Sequence, residues 1–196
     1  MSQRCSWCGE EEIYVRYHDE EWGVPELDGR ALWEKLILDG FQAGLAWITI
    51  LKKRDAFRAA FDGFQPAKVA AYGAQDEARL LADAGIVRHG GKIRGAIRAA
   101  QLFQDIEAKQ GFAAHMWGYV DGRPIQNRWR SMAEVPAKTA LSEQIAKDLK
   151  QRGFSFCGPT IVYAFMQAVG MVNDHMTDCP RHGQVAALPG PGGLGV

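Results

Sequence analysis

No apolar run in the sequence approaches the ~20 residues that a helix needs to cross a bilayer, and the opening Met-Ser-Gln-Arg-Cys-Ser-Trp-Cys-Gly has no apolar stretch of the signal-peptide kind. A membrane partner is not expected, and a cytoplasmic location is. Cysteine is scarce, with four in 196 residues. In a reducing compartment, cysteines that cluster are better read as metal ligands or buried side chains than as bridges. Net charge is absent, with 23 Lys and Arg against 23 Asp and Glu. That removes the whole-molecule case for a protein that coats nucleic acid and leaves polyanion binding to local patches. Such patches occur at Lys52, Lys53 and Arg54, at Arg88, His89, Lys92, Arg94 and Arg98, and at Lys147, Lys150 and Arg152, and each by itself reads at least as well as a solvated helix face. Period-2 alternation is also rare. The one extended piece, around Arg123, Pro124 and Ile125, is too short to found a sheet. No repeat and no Pro/Gly/Ser-rich linker divides the chain, so one unit over 1–182 is expected.

What remains is helical spacing. Asp28 is placed as an N-cap before Leu32, Trp33, Leu36 and Ile37, and Phe57 and Phe61 follow on the next helix. Leu80 and Leu81 precede a stop at Gly85; Ile93, Ile97 and Ala100 mark a further helix; Leu141, Ile145 and Leu149 precede a stop at Gly153. The fold class is all-α. From Gly183 onward the chain is rich in Gly and Pro, and 183–196 is expected to be a disordered tail.

Three groups of residues carry chemistry. Cys5 and His18 stand near one end of the chain, His175 and Cys179 near the other and four apart, a spacing that one helical turn would aim at a common centre. Two thiolates and two imidazoles would complete a tetrahedron around one zinc with no open position, the arrangement of a structural metal, while plain burial of Cys and surface placement of His account equally well for the spacing. Cys5-x-x-Cys8 is itself a common zinc half-site, and His182 competes as well, while Cys157 reads as a core residue.

The second group is a helix-hairpin-helix pattern near 142–170. One helix ends at Gly153, an apolar turn follows, and Gly158 with Pro159 and Thr160 opens the next. A glycine at a helix start lets a phosphate approach free backbone N–H groups, and Arg152 stands close by in sequence. An ordinary pair of packed helices fits the same pattern.

The third group is aromatic. Trp7, Tyr17, Trp22 and Trp47 could wall a pocket for an extrahelical base, with Asp39 as its acceptor; each Trp alone could equally be core filling. Asp39 is the most informative of the set, because a carboxylate in Leu36-Ile-Leu-Asp-Gly-Phe must have a partner or a task.

The motifs Tyr17-His-Asp-Glu-Glu-Trp-Gly-Val-Pro25, Gln42-Ala-Gly-Leu-Ala-Trp-Ile-Thr-Ile-Leu-Lys-Lys-Arg54, Arg152-Gly-Phe154, Gly158-Pro-Thr160, Tyr163-Ala-Phe-Met-Gln167 and Val172-Asn-Asp-His175 together resemble the 3-methyladenine DNA glycosylase I family of the helix-hairpin-helix superfamily. The resemblance implies a monofunctional, monomeric enzyme acting on double-stranded alkylated DNA. It would flip 3-methyladenine out, hydrolyse the N-glycosidic bond, release the free base and leave an abasic site. It also implies a zinc held by Cys5, His18, His175 and Cys179, joining segments 1–25 and 171–182, with Cys8 set aside. Tyr17, Trp22 and Trp47 with the carboxylate at 39 would form the lesion pocket, Asp39 and Tyr17 serving catalysis. The best-known members carry Glu where this chain has Asp39. Gly44, Leu45, Gly158, Thr160 and Arg152 are the expected DNA contacts, with Leu45 an apolar wedge for the gap left in the duplex. Asp174 falls near the place of the superfamily's catalytic Asp and is a second candidate. No lysine stands out in the pocket, with Lys52 and Lys53 the alternatives the sequence leaves open, so no Schiff-base step is expected.

Overall fold

The computed structural model describes residues 4–192. Its helices are α1 (Glu12–Glu20), α2 (Gly29–Gln42), α3 (Trp47–Ala60), α4 (Pro66–Ala70), α5 (Ala74–Ala82), α6 (Gly90–Gln110), α7 (Phe112–Gly118), α8 (Ala140–Arg152), α9 (Pro159–Ala168) and α10 (Pro180–Ala186). The two strands, β1 (Ile125–Gln126) and β2 (Val172–Asn173), form one short parallel pair, Ile125 opposite Val172 and Gln126 opposite Asn173. The architecture is mostly helical, as the spacing implies.

α2 is the axis of the packing. Asp28 caps it by accepting the Ala31 N–H at 2.7 Å, which satisfies one of the donors a helix start leaves unpaired. Beyond that cap, Leu32, Trp33, Leu36, Ile37, Leu38 and Phe41 are all buried, because α3, α6, α7 and α9 pack around this one helix. A helix enclosed on several sides leaves no solvated face for a charge, which is why Asp39 in its last turn stands out.

α8 and α9 pack against each other, and α9 packs in turn on α2. α8 stops at Gly153, which takes φ +105, a left-handed value that a glycine adopts without a Cβ penalty. Pro159 then occupies the first turn of α9 after Gly158, where its missing N–H costs nothing.

Several local expectations differ from the outcome. The stop of α5 comes at Asp83, whose side chain accepts the Gly85 N–H at 2.7 Å, so the aspartate turn precedes the glycine. Lys92, read as part of a basic patch, is buried, and its ammonium donates to the Phe41 and Ala43 carbonyls at 2.9 and 2.7 Å. It therefore caps the C-terminal end of α2, where the unpaired carbonyls favour a cation. The tail expected from 183 begins as helix: α10 runs to Ala186 with Val185 buried, because Pro180 starts it and Val185 anchors it. The Pro/Gly run expected to break a helix follows directly, and residues 193–196 of that tail lie outside the described residues.

The chain leaves α9 through Gly170, whose Cα faces the backbone of the segment after α1. A Cβ there would stand 2.5 Å from the Pro25 nitrogen, 2.6 Å from the Val24 carbonyl carbon and 2.7 Å from the Gly23 oxygen, at φ +75. Backbone cannot swing aside as a side chain can. Gly170→Ala is expected to destabilise the protein by about 3 kcal/mol or more, roughly 6–12 °C in Tm for a chain of this size. A melting temperature within a degree or two of the unsubstituted protein would show that these segments are not pressed together.

Candidate active site and metal centre

α1, α2, the start of α3 and α9 enclose a cavity of about 240 Å³ whose lining includes Trp7, Tyr14, Tyr17, Trp22, Trp47 and Asp39. All four aromatic residues singled out in the sequence and the carboxylate meet there. The rings border this void while packing on one another at its edge: Tyr17 and Trp47 lie 5.6 Å apart between centroids and tilted by 44°. Trp7 meets Trp22 edge to face at 4.9 Å and Tyr14 at 5.1 Å, which fixes that wall by aromatic packing.

The hydrogen-bond ledger marks the cavity as more than a packing defect. Asp39 is 1% exposed and its Oδ2 is buried without a partner; so are the indole N–H groups of Trp7 and Trp47. Three unpartnered polar groups around one void is an arrangement that folded proteins rarely tolerate without a reason. The other oxygen of Asp39 accepts from the Lys35 ammonium, one helical turn back on α2, and that ammonium also sits 3.9 Å from the centroid of Trp47. Burial pushes the Asp39 carboxyl above the usual carboxylate range, opposed by the charge of Lys35. Burial likewise pushes the Lys35 ammonium down, opposed by Asp39. The Tyr17 phenol is raised well above its ordinary value by burial and then by Asp39, which keeps its hydroxyl protonated.

Lys35 is absent from the sequence-based set, and the expectation that no lysine enters the pocket is corrected here. The signal was present, since Lys35 and Asp39 stand at i, i+4, but nothing in the sequence says that this face of α2 turns to a cavity. Lys52 instead pairs with Glu11 at 2.6 Å and Lys53 donates to the Ala84 and Gly85 carbonyls; neither lines the void.

Asp174 also lines the cavity, in a contrasting state. Its Oδ1 accepts from Asn127 Nδ2 at 2.6 Å and Trp129 Nε1 at 2.8 Å, its Oδ2 from the Tyr163 hydroxyl at 2.6 Å and Gln167 Nε2 at 2.8 Å. With four donors its lone pairs are used up. It ties α9 to the segment around β1.

Behind the aromatic wall, Cys5, His18, His175 and Cys179 converge. All four are buried and their ligand atoms lie within 4.8 Å of one another. Cys5 Sγ is 3.7 Å from His175 Nδ1, and Cys179 Sγ is 3.7 Å from His18 Nε2 and 3.9 Å from His175 Nδ1. Ligands at the corners of a tetrahedron with bonds of ~2.0–2.3 Å are separated by about 3.3–3.8 Å, so the set is close to the size a metal ion requires. The outer nitrogens are already engaged: His18 Nδ1 with Asp19 Oδ1 at 2.7 Å, and His175 Nε2 with the Trp22 carbonyl at 3.0 Å. Each ring thereby keeps its inner lone pair for a metal. Asp19 is held in turn by Arg4 at 2.8 Å. Burial pushes the Cys5 thiol up to about 12 and the His175 imidazole down to about 4, so ionised sulfur at this place needs a cation beside it. These four residues could hold a metal ion.

One detail of the sequence reading is revised. His175 and Cys179 approach through a tight turn, with the Cys179 N–H on the Met176 carbonyl at 2.9 Å, rather than along a helix; Cys179 is the residue before α10. Cys8 turns away, its thiol on the Cys5 carbonyl at 3.2 Å, and His182 is engaged by the Asn127 carbonyl at 2.8 Å.

Of the expected DNA contacts, Gly158 and Thr160 are exposed, and a Cβ at Gly158 would meet open space. Gly44 takes φ +85 in the loop between α2 and α3, and Leu45 beside it is 39% exposed. Arg152 is exposed and bound to Asp148 at 2.8 Å, so a phosphate would have to compete with that carboxylate. Phe156, in the turn between α8 and α9, takes φ +57 and is 38% exposed, a conformation costly for a residue with a Cβ.

Comparison with known proteins agrees with this geometry. Residues 7–182 match the family described as methyladenine glycosylase. DNA-3-methyladenine glycosylase 1 of Escherichia coli (strain K12) is 46% identical over 178 residues, covering 90% of this chain and 95% of that protein. A crystal structure of 3-methyladenine DNA glycosylase I superimposes with a TM-score of 0.89 at 48% identity, over 91% of this chain and 98% of that one. The enzyme of the same name from Staphylococcus aureus, whose structure concerns 3-methyladenine recognition, gives a TM-score of 0.87 at 39% identity, over 90% and 94%. On this cavity, this helical frame and a match across nearly the whole chain, the protein belongs to the methyladenine glycosylase family.

Proposed function

We propose that the protein is a monofunctional DNA-3-methyladenine glycosylase of base-excision repair, built as one unit over 1–182. The observation that carries the reading is the aromatic void beside a buried, half-partnered carboxylate. A flipped base loses its stacking neighbours and needs aromatic faces in their place, and 3-methyladenine in DNA is a cation that an indole face and a carboxylate both favour. Trp47 and Tyr17 stack on the base, Trp22 and Trp7 back them, and Asp39 accepts a hydrogen bond from the base edge. The positive charge weakens the glycosidic bond. Holding the base in this environment while water attacks the sugar is the main task left to the protein. An intact adenine lacks the charge and costs more to unpair, so it is rejected twice.

The four-ligand cluster holds one zinc in a structural role, since two thiolates and two imidazoles leave no position for water. It ties the segment that carries Cys5 and His18 to the one that carries His175 and Cys179, behind the pocket. Double-stranded DNA is gripped by the helix-hairpin-helix formed by α8, the turn 153–158 and α9. Gly158 and Thr160 offer backbone N–H groups at the start of α9 to a phosphate, Arg152 exchanges Asp148 for a phosphate, and Leu45 on the Gly44 loop fills the gap in the duplex. The protein acts as a monomer.

Incubation with methylated DNA is expected to release 3-methyladenine; release of 7-methylguanine with no 3-methyladenine would overturn the substrate. Asp39→Asn keeps the shape and removes the charge. It is expected to lower kcat/KM for base release by about 10- to 100-fold, the worth of a charged hydrogen bond, and unchanged turnover would show that the carboxylate is dispensable. Metal analysis is expected to find one zinc per chain that dialysis does not remove. Cys179→Ser should lower stability by about 4 kcal/mol, roughly 8–16 °C in Tm. Full stability without metal would exclude the structural role.

A further inference from the structure

The ammonium of Lys35 occupies the two surfaces that a cationic base would use. It bonds Asp39 and lies 3.9 Å from the centroid of Trp47, and it does so from inside the protein, its side chain 16% exposed. Ordinary helix-surface pairs at i, i+4 are solvated and weak. This one borders the base cavity and also a second, charged cavity of about 390 Å³. Tyr17, Lys35, Trp47 and Ala168 line both, so the lysine stands in the partition between them. The second cavity is lined by Glu20, Glu21 and Glu34. Glu21 is held by Arg54, and Glu34 by Arg30 and Arg58, while Glu20 makes no ion pair among the described residues.

Resting on the glycosylase reading above, we propose that Lys35 is a resident cation that holds the lesion's electrostatic place on Asp39 and Trp47, yields it to the cationic nucleotide, and reclaims it once cleavage has made the base neutral. A buried carboxylate deprived of its partner is strongly disfavoured. A cationic base displaces Lys35 toward the second cavity by exchanging one positive partner of Asp39 for another. An uncharged base makes no such exchange and must compete with the ammonium. The reaction then reverses the balance. When the bond between the base nitrogen and C1′ breaks, its electron pair stays with the base, which leaves neutral, and the positive charge passes to the sugar. Water adds at C1′ and gives up one proton to solvent. The free base no longer matches Asp39 as a cation does, and Lys35 takes the carboxylate back. Lys35 is thus a specificity residue that also limits product retention, not a nucleophile.

The test is a titration of the full chain with free 3-methyladenine at mildly alkaline pH, where the base carries no added proton, followed by tryptophan fluorescence. Lys35→Met, which keeps length and removes charge, is expected to bind the neutral base at least about tenfold tighter than the unsubstituted protein, and Lys35→Arg to stay within about threefold of it. Equal or weaker binding by Lys35→Met overturns the proposal, since a lysine that merely braces α2 would not compete with base. Should Lys35→Met fail to fold by circular dichroism, a crystal structure of the unsubstituted protein with 3-methyladenine decides. Lys35 withdrawn from Asp39 supports the exchange; Lys35 still bonded to it beside the bound base overturns it. If the unsubstituted protein releases no 3-methyladenine from methylated DNA, the glycosylase reading falls and the exchange falls with it. Release with no effect at Lys35 removes the exchange alone.

Discussion

The cavity stands where it does because the two ends of the chain are held together behind it. Cys5 and His18 meet His175 and Cys179 in one buried cluster, and the residues next to these ligands are the walls of the void. Tyr17 precedes His18 on α1, and Trp22 packs its ring at 4.6 Å on His175 while its carbonyl receives the His175 N–H. Trp7 lies 5.4 Å from the His18 ring. Each imidazole therefore has one nitrogen directed to the cluster and one contact that positions a wall. Loosening the cluster would loosen the rings, a coupling that contact between packed groups makes unavoidable.

Two buried carboxylates border the same void and illustrate how hydrogen bonding divides their tasks. Asp174 is saturated by four donors from α9 and from the segment around β1. Such a group is fixed, fully compensated and chemically quiet, a brace between elements distant in sequence. Asp39 has one cationic partner and one oxygen with none. It is the less satisfied group and so the one with something to gain from a ligand. Burial alone would not have told them apart, because both are about 1% exposed.

The same distinction explains how far the site was legible. Asp39 was conspicuous because a charge within an apolar run contradicts its surroundings, and the aromatic residues could be counted, but whether they enclosed space or filled it depends on distances that no spacing contains. Lys35 was not legible: its spacing to Asp39 describes any solvated helix pair, and only the enclosure of α2 by α3, α6, α7 and α9 turns that face inward. Lys92 failed in the same way, a basic residue read as solvated that instead caps buried carbonyls.

The sequence by itself determined the helices, because periodic burial, the Asp28 cap, the left-handed Gly153 and the Pro159 start are local devices that act within a few residues. It also determined which residue types were available for a metal and for an aromatic wall. The tertiary structure alone decided that Cys5 and Cys179 meet, that the rings leave a void, that Asp174 is saturated while Asp39 is not, and that a lysine stands in the site. Those outcomes hinge on groups far apart in the chain, and their energies depend on burial, which exists only after the chain has closed on itself.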